Sequence, residues 1–115
     1  MKKIKTIKEL RRIYKEPYKA ALQKVRNKID KHSTHFISLS PFCIISTSNN
    51  NGNLDASPKG GDPGFAKIKD SRTILFPDWP GNNRLDSFTN VIENPNISLI
   101  FFVPGINESL RVIGT

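Results

Sequence analysis

The stretch "LFPDWPGNNRLDSFTNVIENPNISLIFFV" (Leu75 to Val103) decides how this chain is read. It opens as a strand, passes through a tight turn holding Gly81, Asn82, Asn83 and Arg84, and becomes a helix. Leu85, Phe88, Val91 and Ile92 form the apolar side of that helix. Asn94-Pro95 stops it, because the residue before a proline is pushed out of the helical region. "NISLIFFV" then returns as a long strand. A helix start offers unpaired backbone N–H groups and a partial positive charge, so it receives anions readily. Gly81 lets the backbone approach closely, Asn82 and Asn83 add amide donors, and Arg84 suits a two-pronged grip on phosphate. Ser87, one turn on, supplies a hydroxyl. On local grounds a simple cap by Asn82 with a solvated Arg84 explains the turn equally well.

Working outward, the segment before this stretch is also β-rich. "FCIIST" from Phe42 is followed by "SNNNGN", a turn containing Asn-Gly, and "LDASPK" reads as the second arm of a hairpin. "GGDPGFAKIKDS" is a Gly/Pro/Asp loop with a short extended piece at 65–67, and "TILFP" is a strand. After the long strand, Pro104-Gly105 makes a turn and "SLRVIG" begins another strand. Ahead of all this, Thr6-Ile7-Lys8-Glu9 has the form of a capping box. Pro17 suits the first turn of a second helix striped by Tyr18, Ala21, Leu22, Val25 and Ile29. The order is two N-terminal helices, then β-β-β-α-β-β with hairpin links. It predicts a mainly β (α+β) antiparallel sheet or barrel with one inserted helix. The organisation expected is a basic helical segment over 1–35 and a barrel domain over 36–115. "SLRVIGT" carries strand character to its last residues, which leaves an unpaired edge and suggests a sheet completed by further chain or by a partner.

Charge is unevenly placed. The chain carries a net +8, yet residues 1–35 hold 12 Lys/Arg against 3 Asp/Glu, while residues 36–115 hold 6 against 7. A near-neutral body lacks the clustered basic face needed to follow a phosphate backbone, which argues against nucleic acid as a partner. The single cysteine, Cys43, excludes an internal disulfide and sits in an apolar run that suits a small buried hydrophobe. No apolar run reaches the ~18 residues that span a membrane, and the lysine-rich N-terminal residues lack the apolar stretch of a signal peptide, so the expectation is a soluble cytoplasmic protein.

Side-chain chemistry is sparse. His32 and His35 lie in "DKHSTHF", read as a polar helix end with no third metal ligand nearby. No nucleophile elbow, P-loop or dinucleotide fingerprint appears. Catalytic residues cannot be nominated, and an enzyme of this composition would leave the hard chemistry to a cofactor. The second cluster of interest is "DASPKGGDPG" (Asp55 to Gly64). Ser57 and Lys59, two apart on a strand, point to one face. Pro58 marks an edge strand because it cannot donate to the ladder. Gly60 and Gly61 would leave clearance for a flat ligand; the plainer account is a hairpin exit with a surface lysine.

Together the two clusters resemble the pyridoxamine 5'-phosphate oxidase-like FMN-binding split β-barrel family, in its subgroup with "SPRGD"-type and "PGNNRxDS"-type motifs. The resemblance covers about residues 36–115 and rests on "SPK", on "FPDWPGNNRLDS" and on the helix ending in Asn-Pro. It implies a homodimeric oxidoreductase with FMN in a cleft between subunits, acting on a small molecule. Ser57, Pro58 and Lys59 would line the flavin, with Lys59 standing where arginine is usual; Phe76, Pro77 and Asp78 would border the ring or ribityl chain. Asn82, Asn83 and Arg84, with Ser87, would hold the phosphate. Trp79 stands where a charged residue is common. Family members continue for several further strands, so the barrel implied here is incomplete. The competing reading is a non-catalytic split-barrel remnant or binding module whose basic helical segment contacts an acidic partner. Haem or a deazaflavin is a third reading, for which the sequence offers no convincing axial ligand.

Overall fold

A computed structural model describes residues 5–6, 8, 28–77 and 86–115, the backbone alone for 86–88. The first expected helix and all but the end of the second therefore lie outside the described residues, as does the turn at 78–85; Ile29, expected on the second helix's stripe, is not helical and donates its backbone N–H to the Ser71 carbonyl at 2.7 Å.

The first described helix, α1 (Lys31–Leu39), is one the sequence reading did not separate. "DKHSTHFISLS" is poor in strong helix formers, so propensity gives no signal. What starts the helix is a cap: the Asp30 carboxylate accepts from the Ser33 backbone N–H at 2.7 Å. What keeps it is burial, since Phe36 and Ile37 are buried in the core. His32 and His35 are thus in a new helix and not at the end of an earlier one.

Six strands follow: β1 (Phe42–Ser48), β2 (Leu54–Gly60), β3 (Lys67–Asp70), β4 (Thr73–Leu75), and, after α2 (Asp86–Glu93), β5 (Ile97–Phe102) and β6 (Ser109–Gly114). β1 and β2 form the hairpin expected around "SNNNGN", with Ile45 opposite Ser57. β5 pairs with the other side of β1, and β6 with β5. All pairings are antiparallel, giving a four-stranded sheet in the order β2-β1-β5-β6 and a separate two-stranded sheet β3-β4. Among the described residues the two sheets remain unclosed, an open form of the antiparallel barrel that the sequence predicted. Of the extended piece expected at 65–67 only Lys67 is in a strand: β3 starts there and runs on through residues read as loop, with an irregularity between Ile68 and Asp70.

The larger sheet has two unlike faces. Cys43, Ile45 and Thr47 of β1 are buried, and their register partners Phe101 and Leu99 are buried too. Cross-strand partners share a face, so this is the core face. Phe36, Ile37, Phe65 and Ala66 close over it. Phe76, from the end of β4, stacks on Phe101 with ring centroids 6.2 Å apart and meets Phe65 edge-on at 5.9 Å. The alternate residues, Phe42 and Ile44 among them, face the other way.

One buried hydroxyl ties these parts together. Ser40, with no exposed surface, ends α1 by donating its backbone N–H to the Ile37 carbonyl. Its Oγ lies 2.8 Å from the Phe42 carbonyl oxygen and 2.6 Å from that of Phe102. The helix end and two central strands thereby share one hydrogen-bonding group.

Candidate functional site

β2 is the edge of the sheet, which is why it tolerates Pro58 in its middle. Ser57 and Lys59 are half-buried and lie on the core face, opposite Ile45 and Cys43. Pro58 between them is exposed and faces the other side. The structure therefore brings Ser57 and Lys59 together and separates the Pro58 side chain from both. The strip has a third member that the sequence reading passed over. Asp55, two residues earlier on the same face, is also half-buried and stands opposite Thr47. The signal for it is the same period-two alternation that puts Ser57 and Lys59 on one face. An acid, a hydroxyl and an ammonium at successive same-face positions form a polar strip about 13 Å long beside an apolar core.

The glycines that follow do something other than leave clearance. A Cβ on Gly60 would lie 2.8 Å from the Pro41 carbonyl oxygen, so the space beside it is filled by the protein's own backbone. Gly61 donates its N–H to the same Pro41 carbonyl at 3.0 Å, and Gly64 donates to Ser40 O at 3.0 Å. Gly64 has φ +79°, and a Cβ there would meet the Ser38 carbonyl oxygen at 2.9 Å. This loop is a clasp around the junction of α1 and β1.

α2 packs against both β1 and β2. Its polar side is fastened to the far end of β1. Asn90 donates its side-chain amide to Thr47 Oγ at 3.1 Å, and Asn94 donates to Ser48 Oγ at 3.1 Å. The Asn50 backbone N–H points to Glu93 Oε2 at 3.4 Å. Since Thr47 is also the register partner of Asp55, the helix is anchored alongside the strand that carries the polar strip. Of the residues expected to hold a phosphate, Asn82, Asn83 and Arg84 lie outside the described residues, as do Asp78 and Trp79. Ser87 falls in the first turn of α2, with only its backbone described. Phe76 is fixed by its contacts with Phe65 and Phe101, and Pro77 after it is exposed.

Cys43 is fully buried. Burial pushes its thiol up to about 11, while the nearby Lys59 ammonium pulls in the opposite direction. A thiol so placed is protonated at neutral pH and makes a poor nucleophile. Lys59 is the register partner of Cys43 on the core face. His32 approaches Glu108 at 3.9 Å, with both side chains largely exposed. Among the described residues no group of three or more His, Cys, Asp or Glu comes together. An open groove between α1 and the β3-β4 hairpin, lined by Asp30, Thr34, His35 and Asp70, includes none of the expected site residues. Among the described residues no helix is long and apolar enough to cross a membrane.

With this geometry in view, the comparisons decide the family. The family model described as pyridoxamine 5'-phosphate oxidase matches residues 29–115. The chain belongs to that family. The matched span begins just before α1 and takes in all six strands, so α1 falls inside the family region. Among solved structures, a variant of HupZ from Group A Streptococcus matches with a TM-score of 0.56 and 19% identity. The match covers 76% of this chain and 67% of that one. At this identity the likeness concerns the fold. No curated protein matches the chain.

Proposed function

We propose that this protein is an FMN-dependent oxidoreductase of the pyridoxamine 5'-phosphate oxidase-like class, with flavin held between two subunits and a small-molecule substrate. The observation that carries the reading is the docking of α2 on β2. α2 is the helix that the P-G-N-N-R turn leads into, and β2 is the strand that bears Ser57 and Lys59. Two motifs far apart in sequence thus belong to neighbouring elements.

The residues fit such a group chemically. A half-buried hydroxyl and ammonium suit anionic or carbonyl oxygens, and the amide and guanidinium groups of Asn82, Asn83 and Arg84, just ahead of α2 in sequence, suit a phosphate dianion. In this reading Arg84 and the asparagines hold the phosphate with Ser87, and Ser57 and Lys59 contact the flavin from the strand. Pro58, Phe76, Pro77 and Asp78 shape the border of the cleft. Bound flavin would supply electron transfer. The protein's share is to orient it and to balance its charge through Lys59 and Arg84. The barrel body is assigned to 36–115 and the basic segment to 1–35, in a soluble cytoplasmic protein.

The test is the absorbance spectrum of the purified full chain, followed by FMN titration. The parent should show the two flavin bands. Arg84→Ala should weaken binding roughly ten- to hundredfold, the worth of a charge-assisted phosphate contact. Equal affinity in parent and variant would remove Arg84 from the site. A folded, colourless parent that takes up no added FMN would favour the second reading, a non-catalytic module. In that reading the excess of basic residues in 1–35 meets an acidic partner.

A further inference from the structure

We infer that Asn90 is a positioning residue for the proposed flavin site: through its hydrogen bond to Thr47 it fixes the angle of α2 on the sheet, and with it the place of the phosphate-binding turn that leads into that helix. The inference rests on the flavin reading above and adds a residue outside the ligand contacts named there.

The argument starts from a buried hydroxyl. Among the described residues two polar side chains are buried, Ser40 and Thr47. Ser40 serves the junction of α1 with the strands. Thr47 is 4% exposed on the core face of β1, where valine would fill the same volume with no hydroxyl to desolvate. Its Oγ accepts from the Asn90 side-chain amide at 3.1 Å. A buried hydroxyl so placed specifies an arrangement, because another seating of the helix would leave it short of that partner.

α2 needs such a device, since little apolar surface holds its later part. From Thr89 to Glu93, Val91 is the one apolar side chain that is half-buried, and Ile92 is 86% exposed. Hydrogen bonds tie the helix instead: Asn90 to Thr47, Glu93 to the Asn50 N–H, and Asn94 to Ser48. Glu93 and Asn94 are adjacent, so those two act as a single pivot at the helix end. Of these three, Asn90 stands nearest the start. Asp86 lies about 12 Å from Asn94 along the axis at 1.5 Å per residue, so a tilt of about 10° about the pivot would carry the start roughly 2 Å. Binding groups work only within about 0.5 Å of their productive geometry. The Asn90–Thr47 bond thus removes a freedom that the pivot leaves. Thr47 is also the register partner of Asp55, so the anchor point lies on the strand pair that carries Ser57 and Lys59.

The experiment measures FMN and riboflavin affinity by quenching of flavin fluorescence on the full chain, with Tm recorded for each sample. Riboflavin lacks the phosphate, so the ratio of the two affinities reports on the phosphate site. Asn90→Ala and Thr47→Val should each lower FMN affinity about tenfold and leave riboflavin affinity within about twofold. The double variant should bind FMN no more weakly than either single one, because both remove the same bond. Thr47→Ser keeps the hydroxyl and should keep the parent's ratio. Ile92→Ala, on the exposed side of the same helix, should match the parent. Should Asn90→Ala fail to fold, Thr47→Val, which preserves side-chain shape, decides. Variants that bind both flavins as the parent does, or lose both alike, overturn the positioning role and leave the flavin reading standing. A parent that binds FMN and riboflavin equally has no phosphate site to position, which also overturns it. A parent that binds neither overturns the flavin reading and this inference together.

Discussion

Cys43 and Lys59 give a test of whether the polar strip points where the fold places it. The thiol is raised from an ordinary 9.0 to about 11 by burial. Between those values the unfolded chain has lost the thiol proton and the folded chain keeps it. The folded state then binds more protons, so stability falls as pH rises. The cost is absent below about pH 9 and complete above about pH 11. Two units of separation correspond to as much as ~2.7 kcal/mol. The assay is urea unfolding at a series of pH values for the parent and for Cys43→Ala. Lysines and tyrosines titrate in the same range, but they do so in both proteins and cancel in the difference. The parent should lose stability relative to Cys43→Ala progressively above pH 9, on top of a constant offset for the lost side chain. Parallel curves would refute the burial argument. Lys59→Met extends the test, because removing the ammonium should carry the thiol higher still. An unchanged thiol titration in that variant would mean that the Lys59 charge does not act on the core face, and Lys59 would leave the proposed site.

Three further outcomes follow from the packing. Gly64→Ala places a Cβ at positive φ against the Ser38 carbonyl oxygen and should cost roughly 2–4 kcal/mol in urea unfolding. A loss below about 1 kcal/mol would mean the clasp is not closed. Ser40→Ala removes the hydroxyl that faces the Phe42 and Phe102 carbonyls. It should cost about 1–3 kcal/mol and lower Tm by roughly 5–15 °C, whereas Ser46→Ala on the exposed side should change little. Phe76→Ala empties the place between Phe65 and Phe101 and should cost about 3 kcal/mol by thermal unfolding; near-neutral behaviour would show that ring to be outside the core.

What was legible in advance was local. The β-rich run "FCIIST", the Asn-Gly turn and "LDASPK" specify a hairpin through residues that are near neighbours in sequence, and β1 and β2 form it. Pro58 announced an edge strand because a missing N–H is tolerated only there, and β2 is that edge. The helical pattern before Asn94-Pro95 predicted α2, although Ile92, read as part of its apolar side, is 86% exposed and faces away from the sheet's core. In the candidate site, the shared face of Ser57 and Lys59 was readable from strand period alone.

Tertiary structure decided the rest, because the forces concerned act between residues distant in sequence. α1 has weak propensity and exists through a cap at Asp30 and the burial of Phe36 and Ile37. No local pattern orders the strands β2-β1-β5-β6; that order follows from which apolar faces can share one core. Gly60 looked like clearance for a ligand until Pro41 was found filling the space beside it. A sequence can say what a residue is free to do, but what presses against it is settled only when the chain has folded.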